Sequence, residues 1–329
     1  MALGDTLSKT FCVALALLGG IACVPAAGSV QPATSLKRIG VLRADTVFDA
    51  WIENFRKTLD ALGHVEGRSV AYDYRLASVA DMPRAAQDLV KSGVDLIVAG
   101  GTPAALAAKQ ATASVPIVFM SADPVDTGLV ASLARPGANV TGIGTLAPEL
   151  GIKRLELLRE LLPHAKRLGV LVNLDNPVSA VQQRLLDSAA KDLGFQLQSW
   201  NVRRREDLDA ALSALKRSHA EAFVIVIDAV LMGSQQRIAD QMLKAKVPGI
   251  FPFRTGPQAG GLLSYGPDIP ALWQQAAVIA DKIFKGAKPA DLPVEQPIRF
   301  ELVVNLRTAT ALSLTVPESI LQRADEVIR

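Results

Sequence analysis

Cysteine is almost missing from this 329-residue chain: there are two, Cys12 and Cys23, both close to the N-terminus. If the leading segment is removed after Ala26, none is left, which excludes disulfides, thiolate catalysis and a Cys-ligated metal together. Charge of one sign is also missing. Thirty-five basic against 32 acidic residues give a net charge of +3, no electrostatic footprint for nucleic acid or an anionic membrane. The one basic run, Arg203-Arg204-Arg205, meets Glu206 and Asp207 at once and reads as a solvated turn ahead of a helix. Histidine is scarce. His64, His164 and His219 all read as surface or turn residues, which removes the usual general base and metal ligand. Gly-x-Gly-x-x-Gly, the Gly-Lys-Ser/Thr phosphate loop and the Gly-x-Ser-x-Gly elbow are absent, so an enzyme is disfavoured and no cofactor is expected. The composition, 50% hydrophobic and 20% charged, excludes disorder and a disulfide-stapled miniature fold.

What is present begins with an export signal. Met1–Thr10 is polar, with Lys9 offset by Asp5, and Phe11–Val24 is uncharged and apolar. That stretch is too short to span a bilayer but suits a secretory h-region, followed by the small-residue site Val24-Pro25-Ala26. Residues 1–26 are therefore expected to be a signal peptide and the mature chain to be periplasmic and soluble. Lipidation at Cys23 is the alternative, although Gly20 stands where lipoprotein signals carry Leu.

The rest of the chain is one pattern written twice. Arg38-Ile39-Gly40-Val41-Leu42 returns as Arg167-Leu168-Gly169-Val170-Leu171, Leu62-Gly63 as Leu193-Gly194, and Val115-Pro116 as Val247-Pro248. Each half reads strand, helix, strand, helix, strand, helix, strand. The expected strands are Ile39–Leu42, Val70–Tyr74, Leu96–Ala99 and Ile117–Met120, then Leu168–Val172, Gln196–Trp200, Phe223–Ile227 and Ile250–Phe253. Runs such as Phe223-Val224-Ile225-Val226-Ile227 are apolar on both faces, as in a parallel sheet covered by helices on each side. Phe55, Leu59 and Leu62 recur at helical spacing before Gly63, a suitable C-terminal cap. The fold class is α/β, with two doubly wound parallel-sheet lobes and a cleft between them. After the second half come the strand ending at Gly266, a helix over Ile269–Phe284, a Pro-rich passage, the strand Phe300–Val304 and a last helix near Pro317. Such a surplus is what a chain crossing between lobes several times needs. The expected division is 36–143 plus 265–290 for one lobe and 144–264 plus 291–329 for the other, joined by a multi-strand hinge.

Four motifs carry a family resemblance. They are Val98-Ala99-Gly100-Gly101-Thr102-Pro103-Ala104-Ala105, Ser132-Leu133-Ala134-Arg135-Pro136-Gly137-Ala138-Asn139-Val140-Thr141-Gly142, Leu262-Leu263-Ser264-Tyr265-Gly266, and Leu292-Pro293-Val294-Glu295-Gln296-Pro297. Together they resemble ABC-transporter substrate-binding proteins of the type I periplasmic-binding fold, in the subgroup that includes tryptophan-binding-like lipoproteins, from about Arg38 to Ile328. Ala138 departs from the family's second glycine, and Phe251–Ala259 from its tyrosine-containing loop. The resemblance implies a monomeric receptor that closes on a small solute, an amino acid in the first instance, and hands it to an ABC permease in the membrane. A sensor module signalling to a membrane receptor would close in the same way, and the sequence does not separate the two.

Ligands of open α/β sheets bind beyond the carboxyl ends of strands, so the candidate site residues follow the apolar runs. Gly101, Thr102, Pro103 and Ala104 open a helix whose free N–H groups suit a carboxylate, or Thr102 simply caps it. Ser121 and Asp123 follow the fourth strand, where Asp123-Pro124 also suits turn initiation. Asn173 and Asn176 offer uncharged donors and acceptors, or form an Asn-Pro turn. Asp228, at the end of a buried strand, takes the ligand's ammonium or caps the next helix. Tyr265 is expected in the cleft or at the hinge, and Phe48 is expected to supply apolar contact.

Overall fold

A computed structural model describes residues 36–44 and 49–329; the expected signal segment 1–26, both cysteines and Phe48 lie outside the described residues. The first half winds through β1 (Lys37–Ala44), α1 (Asp49–Ala61), β2 (Val70–Ala77), α2 (Met82–Lys91), β3 (Leu96–Gly100), α3 (Thr102–Ala111), β4 (Ile117–Ser121) and β5 (Val140–Gly144). These strands form one parallel sheet in the order β2-β1-β3-β4-β5. The second half follows with α4 (Ala147–Leu161), β6 (Arg167–Val172), α5 (Pro177–Asp192), β7 (Gln196–Asn201), α6 (Leu208–Arg217), β8 (Ala222–Ile225), α7 (Ala229–Met232), α8 (Gln235–Lys244), β9 (Gly249–Phe251), α9 (Thr255–Gln258) and β10 (Leu263–Pro267). After it come α10 (Ile269–Phe284), β11 (Phe300–Asn305), α11 (Leu306–Ala311), α12 (Glu318–Arg323) and β12 (Glu326–Ile328). The second sheet runs β12-β11-β10-β9-β8-β6-β7, parallel except where β10 meets β11.

The duplication read from the sequence is a duplication of topology. In both sheets the second strand of the half lies outside the first, and the third, fourth and fifth follow on the other side. The strand order therefore reverses between β1 and β3 in one lobe and between β6 and β8 in the other. Strand alternation sends side chains to both faces. Leu96 and Val98 pack with Phe55 and Leu59 of α1, whereas Ile97 and Ala99 pack with Leu89 of α2 and Ala104 of α3. Residues of the first and second lobes share one hydrophobic cluster. The glycine after Val247-Pro248 has a steric cause: a Cβ on Gly249 would stand 2.1 Å from the Phe223 ring.

Three chain segments join the lobes. The first runs from β5 into α4. The second leads from β10 into α10, which returns to the first lobe, where Trp273 meets Phe55 edge to face at 6.2 Å. The third follows Glu295, whose backbone pairs with Gly142 and Gly144 beside β5 (2.9 Å each), and enters β11. Tyr265–Pro267 thus complete a strand of the second sheet, and the segment up to Glu295 stays on the first. The second and third crossings each fall a few residues beyond the expected 265 and 291. Asp268 N–H donates to the Arg299 carbonyl (3.1 Å), tying these two crossings together, and Arg154 Nε on α4 donates to the Tyr265 carbonyl (3.0 Å). Arg154 is fully buried; burial pulls its guanidinium down to about 9, and its Nη2 has no partner. His64 is more than a surface turn residue: its Nε2 lies 2.9 Å from Asp281 Oδ1 on α10. Among the described residues no helix is long and apolar enough to cross a membrane, and no group of three or more His, Cys, Asp or Glu is placed to hold a metal ion.

Candidate functional site

Both points of reversed strand order open onto one cavity of about 160 Å³ between the lobes. From the first lobe, Arg43 and Ala44 end β1, Gly100 ends β3, and Gly101 to Ala104 begin α3; from the second, Asn176 follows β6, and Ile227, Asp228 and Ala229 follow β8. Trp51, Met82, Met120, Met232, Phe253, Leu272 and Trp273 supply most of the remaining wall. The lining is therefore apolar and sulfur- or aromatic-rich, with a few convergent polar groups, the usual composition of a small-molecule site. Trp51 of the first lobe and Phe253 of the second meet edge to face across it, ring centroids 6.2 Å apart.

The first lobe contributes a guanidinium and a helix N-terminus to the cavity wall. Arg43 is 5% exposed and lines the cavity. Beside it, α3 begins with Gly101 as its N-cap residue, at φ +97°, a conformation that favours glycine. The first backbone bond across this end is Ala105 N–H to the Gly101 carbonyl (3.0 Å). The N–H groups of Thr102 and Ala104 precede it, and Pro103 has none, so two donors with positive polarity end at the cavity wall. Thr102 does not cap the helix, contrary to the simpler expectation. Its hydroxyl lies 2.7 Å from Ser121 Oγ and donates weakly to the Ala122 carbonyl (3.3 Å).

The second lobe presents a carboxylate. Asp228, 3% exposed, is the N-cap of α7, with Oδ1 accepting from Val230 N–H (2.8 Å) and Leu231 N–H (3.4 Å). Its Oδ2 accepts from the side-chain amides of Asn173 (3.0 Å) and Asn176 (3.1 Å). Burial pushes the Asp228 carboxyl up, against these four donors, which pull it down. Of the two roles expected for Asp228, the structure shows the helix cap, and the residue also lines the cavity. Asn176 also has both: Oδ1 caps α5 through Val178 N–H (3.2 Å) while the residue lines the cavity.

Of the residues singled out by sequence, Gly101, Thr102, Pro103, Ala104, Asn176 and Asp228 line the cavity together. Ser121 and Asn173 stand one layer behind, bonded to Thr102 and Asp228. Asp123 is away from the wall, at φ +53°; burial pushes its carboxyl up, and Asp126 and Glu149 add to the effect. Tyr265 stacks on Phe300 (6.4 Å) outside the cavity. Sequence reasoning missed Arg43, Trp51 and Trp273. Arg43 was within reach of the rule used, since it directly follows the apolar run Ile39–Leu42.

Comparison with known proteins places this geometry. A family model described as ABC transporter substrate binding protein matches residues 41–328. A tyrosine-binding protein of Clostridioides difficile (strain R20291) is 30% identical over 267 residues, covering 80% of this chain and 76% of that protein. Among solved structures, an ABC domain from Streptococcus pneumoniae in complex with L-Trp superimposes with a TM-score of 0.83 at 27% identity, covering 89% of this chain and 100% of that one. A conserved domain protein from Vibrio cholerae gives 0.82 at 28%, covering 88% and 99%. A ligand-free, open substrate-binding protein from Clostridium difficile gives 0.64 at 27%, covering 89% and 99%.

Proposed function

The chain belongs to the family of ABC transporter substrate-binding proteins, and on that premise we propose that it encloses a small apolar or aromatic amino acid between its lobes and delivers it to an ABC permease. It works outside the cytoplasm as a monomer, exported by the segment 1–26, and binds its ligand without transforming it.

The observation that carries this reading is the pairing of opposite charges in one apolar cavity, Arg43 from the first lobe and Asp228 from the second. An amino acid is a zwitterion with a side chain. Its carboxylate meets the Arg43 guanidinium and the α3 N-terminus, its ammonium lies on the Asp228 side, and its side chain packs against Trp51, Trp273 and Phe253. Because the polar groups come from both lobes, a ligand makes its full set of contacts only when the lobes are together, and this differential affinity drives hinge closure. The tyrosine-binding relative and the L-Trp complex support an amino acid as the ligand. The closer match to the L-Trp complex than to the open relative, at equal identity, supports reading the present arrangement as the closed one.

Two of the chain's three tryptophans line the cavity, so intrinsic fluorescence reports occupancy. Titration of the purified protein with each proteinogenic amino acid should give a saturable change and a rise in Tm for at least one apolar or aromatic member. If none binds, the amino-acid assignment falls. If one binds without compaction in small-angle scattering, hinge closure falls.

A further inference from the structure

We propose that Gln182 is a positioning residue of the cavity: its side-chain amide stands in for the strand partner that Ile227 lacks, and so holds the Asp228 carboxylate at the wall. Gln182 does not itself line the cavity. The effect on binding rests on the reading of the cavity as an amino-acid site; the effect on the backbone does not.

The apolar run Phe223–Ile227 outlasts the strand it forms, since β8 ends at Ile225. On the β6 side the last bond is Val226 N–H to the Leu171 carbonyl (3.1 Å). On the β9 side the register ends at Val224 opposite Ile250. Ile227 therefore lies past both ladders, half-buried, with a backbone donor and acceptor to satisfy. One side chain satisfies both. Gln182 Oε1 accepts from Ile227 N–H (3.2 Å), and Nε2 donates to the Ile227 carbonyl (3.3 Å). A reversed amide would set donor against donor and acceptor against acceptor, so the network fixes its orientation.

Gln182 is 3% exposed, on a face of α5 that also buries Val178 and Leu186. An apolar residue would bury there without needing partners, whereas an unpaired amide is costly. The use of the glutamine is thus the pair of groups it bonds. The peptide it grips leads directly into Asp228, whose Oδ1 accepts from Val230 and Leu231 N–H and whose Oδ2 accepts from Asn173 and Asn176. A carboxylate offers about four lone-pair directions, and all of these donors belong to its own lobe. Where the carboxylate points therefore follows from where this turn of backbone lies. Ile227, Asp228 and Ala229 all line the cavity, so a shift at Ile227 is carried to the wall.

Gln182→Met keeps the length and volume of the side chain and removes both bonds. In the ligand-free protein, amide exchange at Ile227 should become about tenfold faster or more, with Val170 and Val224 unchanged. An unchanged rate at Ile227, or an equal rise at all three, overturns the proposal. In calorimetric titration with L-tryptophan, L-tyrosine, L-phenylalanine and L-leucine, the variant should bind about tenfold more weakly than the unaltered protein; an unchanged Kd overturns the proposal. The same substitution made in an Asp228→Ala background should cost less than about threefold, because the group it holds is gone. An equal loss in both backgrounds would mean that Gln182 acts through the fold at large, and overturns the proposal. If none of the four amino acids binds the unaltered protein, the amino-acid reading falls and the exchange rates alone decide the positioning role. Should Gln182→Met fail to fold by circular dichroism, Gln182→Asn, whose shorter amide cannot span both groups of Ile227, takes its place with the same expected outcomes.

Discussion

Phe253→Ala separates the energy of closing the cleft from the energy of folding the lobes. Phe253 is 7% exposed, lines the cavity and meets Trp51 of the other lobe edge to face. An aromatic pair of this kind contributes about 0.5–1.5 kcal/mol beyond area burial. Opening the cleft returns part of the ring to water; for roughly half of a ~150 Å² ring surface at ~25 cal/mol per Å², that adds about 2 kcal/mol. Truncation therefore disfavours the closed state by about 2.5–3.5 kcal/mol while leaving each lobe's own core nearly intact. Since the apparent affinity scales with the population of the competent state, Kd should rise by roughly 60- to 300-fold, with the Tm of the ligand-free protein lowered by only a few degrees. Calorimetric titration gives the first quantity and differential scanning calorimetry the second. A steep fall in Tm with unchanged Kd would refute the argument, because it would assign Phe253 to the core of one lobe and not to the closing surface.

Asp228→Ala leaves the α7 N-terminus uncapped and two buried amides without an acceptor, and should cost about 2 kcal/mol in denaturant unfolding; an unchanged midpoint would deny the structural role. Arg154→Met removes a buried guanidinium whose Nη2 has no partner and fills similar volume, so stability should stay level or rise by about 1–4 kcal/mol, whereas Arg154→Ala should lose about 2 kcal/mol or more through the cavity it leaves. A large loss in Arg154→Met would mean that the bond to the Tyr265 carbonyl outweighs the buried charge. Burial pushes the Asp281 carboxyl up, but hydrogen bonds from Lys285 and His64 outweigh it and hold the group below its ordinary value. A lowered carboxylate contributes stability that is present above the unfolded-state value of about 4 and is lost as pH falls through the folded-state value. The Tm difference between the unaltered protein and Asp281→Asn should therefore shrink on acidification below about pH 4; a difference constant with pH would refute the assignment.

The sequence carries the fold well because its signals are local. A helix over Ile269–Phe284 follows from spacing, and α10 has those bounds; continuous apolar runs mark β3, β4, β6 and β8. The strand β5, Val140–Gly144, goes unread because Thr141 and two glycines interrupt the apolar pattern. Thr141 is fully buried all the same, its hydroxyl donating to the Leu292 carbonyl (2.8 Å) from the returning segment. The site divides on the same line. Loops directly after strands are local features, and Gly101, Thr102, Asn176 and Asp228 are found from them. Trp273 belongs to a helix that follows the second lobe in sequence and packs on the first, so its cavity face is fixed by the second crossing and by no spacing within α10. Tyr265 shows the converse: a motif residue at the end of a strand, in a strand whose end feeds the hinge.

The placement of charge explains why two lobes are needed. Arg43 and the α3 N-terminus belong to the first lobe, Asp228 and Asn176 to the second, and each is held by its own lobe's backbone. Neither lobe alone supplies the whole lining of the cavity. The Trp51–Phe253 contact favours closure. The polar groups that face the cavity are thus divided between the lobes, and all of them come together only when the lobes meet.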